Sequence, residues 1–243
     1  MRSWVVFLSA VILALGIARA GLKIGEGFEA GRESDRFVTV KGFSEREVTA
    51  DVALWPLQFV VTSDDLSAAQ AQLAANLDLA RAFLTRQGLA AEEIELQGVR
   101  VTDARANSYQ STPATSRYVI NQTLMVRSGK PDRILAASQA LGELVKAGVV
   151  LTSGQDYGYA GPTYLYTRLN DVKPEMIAEA TARAREAAEK FAADSGSRLG
   201  GIRRANQGVF QILPRDEAPG IQEGSQINKR VRVVTTVDYF LAD

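Results

Sequence analysis

Cysteine and histidine are both missing from this 243-residue chain. Without cysteine there is no disulfide, no thiolate metal site, no cysteine nucleophile and no lipidated cysteine. Without histidine the chain loses the usual general base near neutral pH, every histidine-containing triad and ordinary zinc coordination. An enzyme built from this sequence would work with carboxylates, lysine, tyrosine, serine or threonine. No Ser-x-x-Lys pattern supports a serine–lysine hydrolase, and no glycine-rich turn marks a nucleotide site. An excess of charge is missing too. Lys+Arg and Asp+Glu both total 28, which speaks against nucleic acid or another polyanion as partner. No motif calls for a cofactor or a metal, and no residue is assigned to catalysis.

The chain opens with an apolar stretch. Trp4–Ala18 is an uncharged, mostly apolar run of 15 residues, shorter than the roughly 20 that a membrane span wants. Ala18-Arg19-Ala20 then reads as an Ala-x-Ala cleavage site. Residues 1–20 are a signal peptide or an uncleaved N-terminal membrane anchor, and both readings place the rest outside the cytoplasm. Cleavage would leave 26 basic against 28 acidic residues, a net charge of −2. Residues 21–36 are Gly-rich and charged and read as a linker. A single folded domain is expected over 37–243.

The strongest helical signal runs from Asn170 to Gly201. Met176, Ile177, Ala180, Ala184, Ala187, Ala188 and Phe191 form one apolar stripe. Glu179 with Arg183, and Glu186 with Lys190, are spaced i,i+4 with the acid first. Pro174 is tolerated in the first turn, and Gly196 suits a left-handed stop. A second helix should follow a cap at Thr62 or Ser63 and present Leu66, Ala69, Leu73, Leu77, Ala80 and Leu84 before Gly88. A third should start at Pro131 and end at Gly148, with Ile134, Ala137, Leu141, Leu144 and Val145 on one face.

Strands are expected at 37–48, 51–62, 93–102 with a bulge at Gly98, 117–127, 149–159, 163–167, 202–213 and 227–241. In the second, Ala53, Trp55, Leu57, Phe59 and Val61 share one parity, whereas Pro56 argues for an edge or a bulge. Short connections between adjacent strands favour hairpins. The order predicts an α+β fold: a two-layer sandwich of mainly antiparallel sheet with three helices.

Four stretches, VTVKGFSEREVTADVALWPLQFVV, RYVINQTLMVRS, EATARAREAAEKFAADSGSRLGGIRRANQGVF and KRVRVVTTVDYFL, occur in an order that resembles the SIMPL-domain family of exported bacterial envelope proteins. The resemblance covers about Phe37 to Leu241. Many members carry Pro-Asp where this chain has Ala50-Asp51, so Asp51 matches and the proline does not. The resemblance implies an α+β fold, a periplasmic or envelope location, homo-oligomerisation and an association with envelope or oxidative stress. An envelope protein is the expected kind of partner, with attachment to the inner membrane through residues 1–20 if they stay uncleaved. The resemblance supplies no catalytic residues.

Tyr157, Tyr159, Tyr164 and Tyr166 cluster in one segment, paired at spacing two. They read either as an oligomer interface, where tyrosine is favoured, or as ordinary cross-strand packing. Asp64-Asp65 suit a helix start. Asp216-Glu217 lie in the Gly- and Pro-rich loop 214–226. Two carboxylates across a cleft would be needed for a hydrolase of envelope polysaccharide. A monomeric binding module would need a sizeable pocket.

Overall fold

The computed structural model describes residue 4 and residues 13–25, 36–106, 116–152 and 161–242. Helical backbone at 13–25 (α1) carries exposed apolar side chains, including Leu15 and Leu22. Beyond it the chain runs β1 (Phe37–Thr49), β2 (Val52–Ser63), α2 (Leu66–Arg86), β3 (Ile94–Asp103), β4 (Tyr118–Ser128), α3 (Pro131–Gln139) and α4 (Gly142–Lys146). It continues through β5 (Leu151–Thr152), β6 (Thr163–Leu165), α5 (Leu169–Asp194), β7 (Arg198–Gln207), β8 (Gln211–Pro214) and β9 (Asn228–Ala242). The class is α+β, as expected. The chain divides into two units, one of 1–45, 173–210 and 232–243, the other of 46–172 and 211–231.

In the second unit, β2 and β4 pair antiparallel without a slip from Ala53 opposite Ser128 to Ser63 opposite Tyr118. The sheet order is β3-β4-β2-β5, and β6 also pairs with β2. Strict alternation on β2 buries Ala53, Trp55, Leu57, Phe59 and Val61. Helix α2 lays Ala69, Leu73, Ala80, Phe83 and Leu84 into the same core. Burying each large side chain of this set contributes roughly 1.5–3 kcal/mol. Pro56 does not make β2 an edge. Its missing N–H falls between the short pairings of β2 with β6 (Val52–Leu54) and β5 (Gln58–Phe59), where no ladder bond is lost.

Asp65, rather than Thr62 or Ser63, caps α2, its carboxylate accepting the Ala68 N–H at 2.7 Å. Leu66 lies outside the buried stripe. The helix expected from Pro131 to Gly148 is broken into α3 and α4 at Ala140–Leu141, just before Gly142, a poor helix former. Val145 is consequently exposed. That break gives one helix more than the three expected, before α1 is counted. Of the strand expected at 149–159, residues 151–152 are paired and 153–160 lie outside the described residues.

In the first unit, α5 buries Met176, Ala180, Ala184, Ala188 and Ala192, one residue every four. Ala184 and Ala188 pack with Val40, Val237 and Tyr239. Ala187 and Phe191, expected in this stripe, are exposed. A row of alanines lets the helix approach closely, and Gly42 of β1 completes the approach. A Cβ at Gly42 would collide with the Ala180 carbonyl and the Ala184 amide. Glu179 and Arg183 form the expected pair at 2.8 Å. The strand expected at 202–213 is two strands, β7 and β8. The first pairs antiparallel with β9 and slips register twice around Ile202.

Candidate functional site

A cleft of about 580 Å³ with converging polar groups lies in the second unit. Its frame is the corner between β1 and β2. There the Ala50 N–H donates to the Ile227 carbonyl at 2.8 Å, and the Asp51 N–H donates to the Leu165 carbonyl at 2.9 Å. The Asp51 carboxylate accepts both the N–H and the hydroxyl of Thr167, each at 2.6 Å. Arg168 stands 3.8 Å away. Burial pushes the Asp51 carboxyl up, but the Thr167 hydrogen bonds and Arg168 outweigh it and hold the group below its ordinary value. The residue shared with the family pattern is therefore a clamp that ties the β6–α5 connection to the β1–β2 corner.

The loop after β8 forms one wall. Arg215 donates from Nε and Nη2 to one oxygen of Asp216, at 3.0 and 2.8 Å. That hydrogen bond and the Asp216 charge favour the charged guanidinium further. The Gln226 amide bonds both backbone groups of Asp216, at 3.2 and 3.1 Å. Lys229 is fully buried, and its ammonium donates to the Glu223 carbonyl at 2.6 Å and pairs with the Glu223 carboxylate. A loop that composition marks as irregular is thus knitted at both ends.

Asp132 and Leu135 of α3, Thr49 of β1 and Asn228 of β9 complete the lining together with Tyr164. Asp132 and Asp216 therefore face one cavity, a pairing that sequence spacing does not reveal. Tyr164 is 2% exposed, and packs in the core of this unit while its edge reaches the cleft. Tyr166 is half-buried just past β6. Tyr157 and Tyr159 lie outside the described residues.

The remaining candidates serve structure. Asp64 accepts from the Arg105 guanidinium at 3.1 Å and the Arg117 N–H at 3.0 Å. Arg203 stacks over Phe37 at 4.1 Å, whereas Arg204 lines a small depression with Asp238, so the two form no clamp. Two further carboxyls are held below their ordinary values. For Glu93 the leading cause is the Ser128 hydroxyl at 2.6 Å, followed by the Ala90 N–H. For Asp103 burial pushes upward, and the Arg105 N–H and the Arg117 side chain overcome it. Asp51, Glu93 and Asp103 are thus all displaced toward the ionised form.

These features define an α+β protein of two sheet-and-helix units, one of which carries a polar cleft. Over residues 38–237 the sequence matches SIMPL, described as a protein of unknown function (DUF541). The chain belongs to the SIMPL family. No curated protein matches the sequence.

Proposed function

We propose that this chain is an exported, non-catalytic SIMPL-domain protein that self-associates and serves as an interaction and stress-protective module of the cell envelope. The observation that carries the reading is the edge strand β3. Leu96, Val99 and Val101 face the same side as the buried Leu124, Gln122 and Ile120 of β4. Yet they are 46%, 55% and 46% exposed. An edge strand with an uncovered apolar face is a site for association. A non-catalytic role is supported by the use of Asp51, Glu93 and Asp103 as clamps, each held ionised by hydrogen bonds within the fold. Export is supported by the apolar run before Ala18-Arg19-Ala20 and by the exposed apolar side chains of α1. Among the described residues no helix is long and apolar enough to cross a membrane.

Light scattering across a dilution series tests self-association; a monomer at every concentration rejects it. Intact mass of the protein from a membrane-free periplasmic extract distinguishes a cleaved signal from an anchor. The protective role follows from the family resemblance, and equal survival of deletion and parent strains under peroxide would reject it.

A second reading has one observation in its favour: Asp132 and Asp216 line the same cleft. A carboxylate-dependent hydrolase of envelope polysaccharide predicts saturable turnover that Asp132→Asn or Asp216→Asn abolishes. Absence of turnover on envelope polysaccharide rejects it.

A further inference from the structure

The β3 edge is complementary to itself. Antiparallel pairing of β3 with β3 of a second copy, with Gln97 opposite Gly98, sets Leu96 opposite Val99 and Ile94 opposite Val101. The same register sets Glu95 opposite Arg100, and a two-fold axis makes each of these contacts twice. Apolar residues then meet apolar residues and opposite charges meet on the other face. Both are stabilising cross-strand pairs, whereas like charges directly opposite are destabilising.

A regular strand could not pair this way. Antiparallel ladders join residues whose backbone groups point toward each other, so a strand meeting its own copy must match positions of equal parity. Glu95 and Arg100 differ in parity. The irregularity in β3 removes the conflict. Leu96 stands opposite Leu124 and Val99 opposite Gln122, so β3 advances three residues while β4 advances two. One extra residue resets the alternation. Ile94, Leu96, Val99 and Val101 consequently share the core side of the sheet, and Glu95 and Arg100 share the other. The bulge at Gly98 sits where the two-fold axis would pass.

We infer that two copies of this chain associate through β3, antiparallel about the Gln97–Gly98 step, with Glu95 of each copy opposite Arg100 of the other. This rests on the self-association proposed above and names its surface. The pairing continues the five-stranded sheet from one copy into the next and covers the strip of Leu96, Val99 and Val101. Charge at Glu95 and Arg100 also rejects strands whose charges do not match, which is how edges are guarded against indiscriminate pairing.

The test uses charge exchange in the full chain, with sedimentation equilibrium as readout. Glu95→Arg places arginine opposite arginine, and Arg100→Glu places glutamate opposite glutamate. Each should weaken association at least about tenfold, since two symmetry-related pairs turn repulsive. An equimolar mixture of the two single variants should reassociate, because each arginine again meets a glutamate. The double variant should associate as the parent does. Single variants that assemble like the parent, or a mixture that stays dissociated, would overturn the β3 contact and leave self-association through another surface. A parent chain that is monomeric throughout would overturn the contact and the underlying reading together.

Discussion

Replacing Gly42 by alanine adds one methyl group to β1 and should cost far more than that change implies. The new Cβ would overlap the Ala180 carbonyl and the Ala184 amide, which are backbone atoms of α5. No rotamer change relieves such a clash, and substituting either alanine leaves the obstacle in place. The strand would have to part from the helix, loosening Val40, Val237 and Tyr239 from Ala184 and Ala188. Overpacking of this kind costs about 1–3 kcal/mol, and the rigidity of the obstacle places this case at the upper end. Gly42 has no positive φ, so alanine meets no backbone strain. Its reduced freedom in the unfolded chain returns about 0.4–1 kcal/mol. The net loss is about 2 kcal/mol, or roughly 4–8 °C in Tm for a chain of this size. Gly201 is the control, since nothing lies within 4 Å of a Cβ there and its φ is not positive. Calorimetry of Gly42→Ala, Gly201→Ala and the parent decides the matter. A Gly42→Ala protein melting within a degree of the parent would refute the close approach of α5 to β1.

Asp51→Ala should cost about 2 kcal/mol, because two short hydrogen bonds to a charged acceptor disappear. The Asp51 carboxyl is held below 3.8, so its contribution is full above that value and fades as the pH falls through the lower folded-state value. Urea titrations should therefore show the parent and Asp51→Ala converging in stability as the medium becomes strongly acidic; a constant gap argues against the clamp. Glu223→Ala leaves the buried Lys229 ammonium on a single carbonyl and should cost about 2–3 kcal/mol, somewhat below a fully buried pair because Glu223 is 34% exposed. Lys229→Met removes the charge itself and should cost less by chemical denaturation; the reverse ranking would reject the pair as drawn. Asp65→Ala removes the cap of α2 and should lower stability by about 1 kcal/mol in the same assay.

The parts of the fold that were legible in the sequence are those where one short-range period governs. Alternation on β2 reproduces its buried set residue for residue, because a strand with one covered face repeats that face in its sequence. In α5 the helical period places Met176, Ala180, Ala184 and Ala188 correctly. Phe191 misled for the converse reason. It falls in the right helical period, but the buried row steps by four through Ala184, Ala188 and Ala192 and leaves Phe191 beside it. The bulge at Gly98 was visible as a glycine, but not its effect, since a register slip is defined only against the partner strand. The cleft was not legible at all. Thr49, Asp132, Tyr164 and the 215–228 segment are far apart in sequence, and no period links them. What joins them is the β1–β2 corner, where Asp51 holds the chain after β6 and Ala50 holds the segment entering β9. The same distinction bears on function. Residues that report on the fold recur at regular spacing, whereas the acids of the cleft and the two ends of the β3 edge acquire meaning only once the chain, or a second copy of it, has been brought alongside.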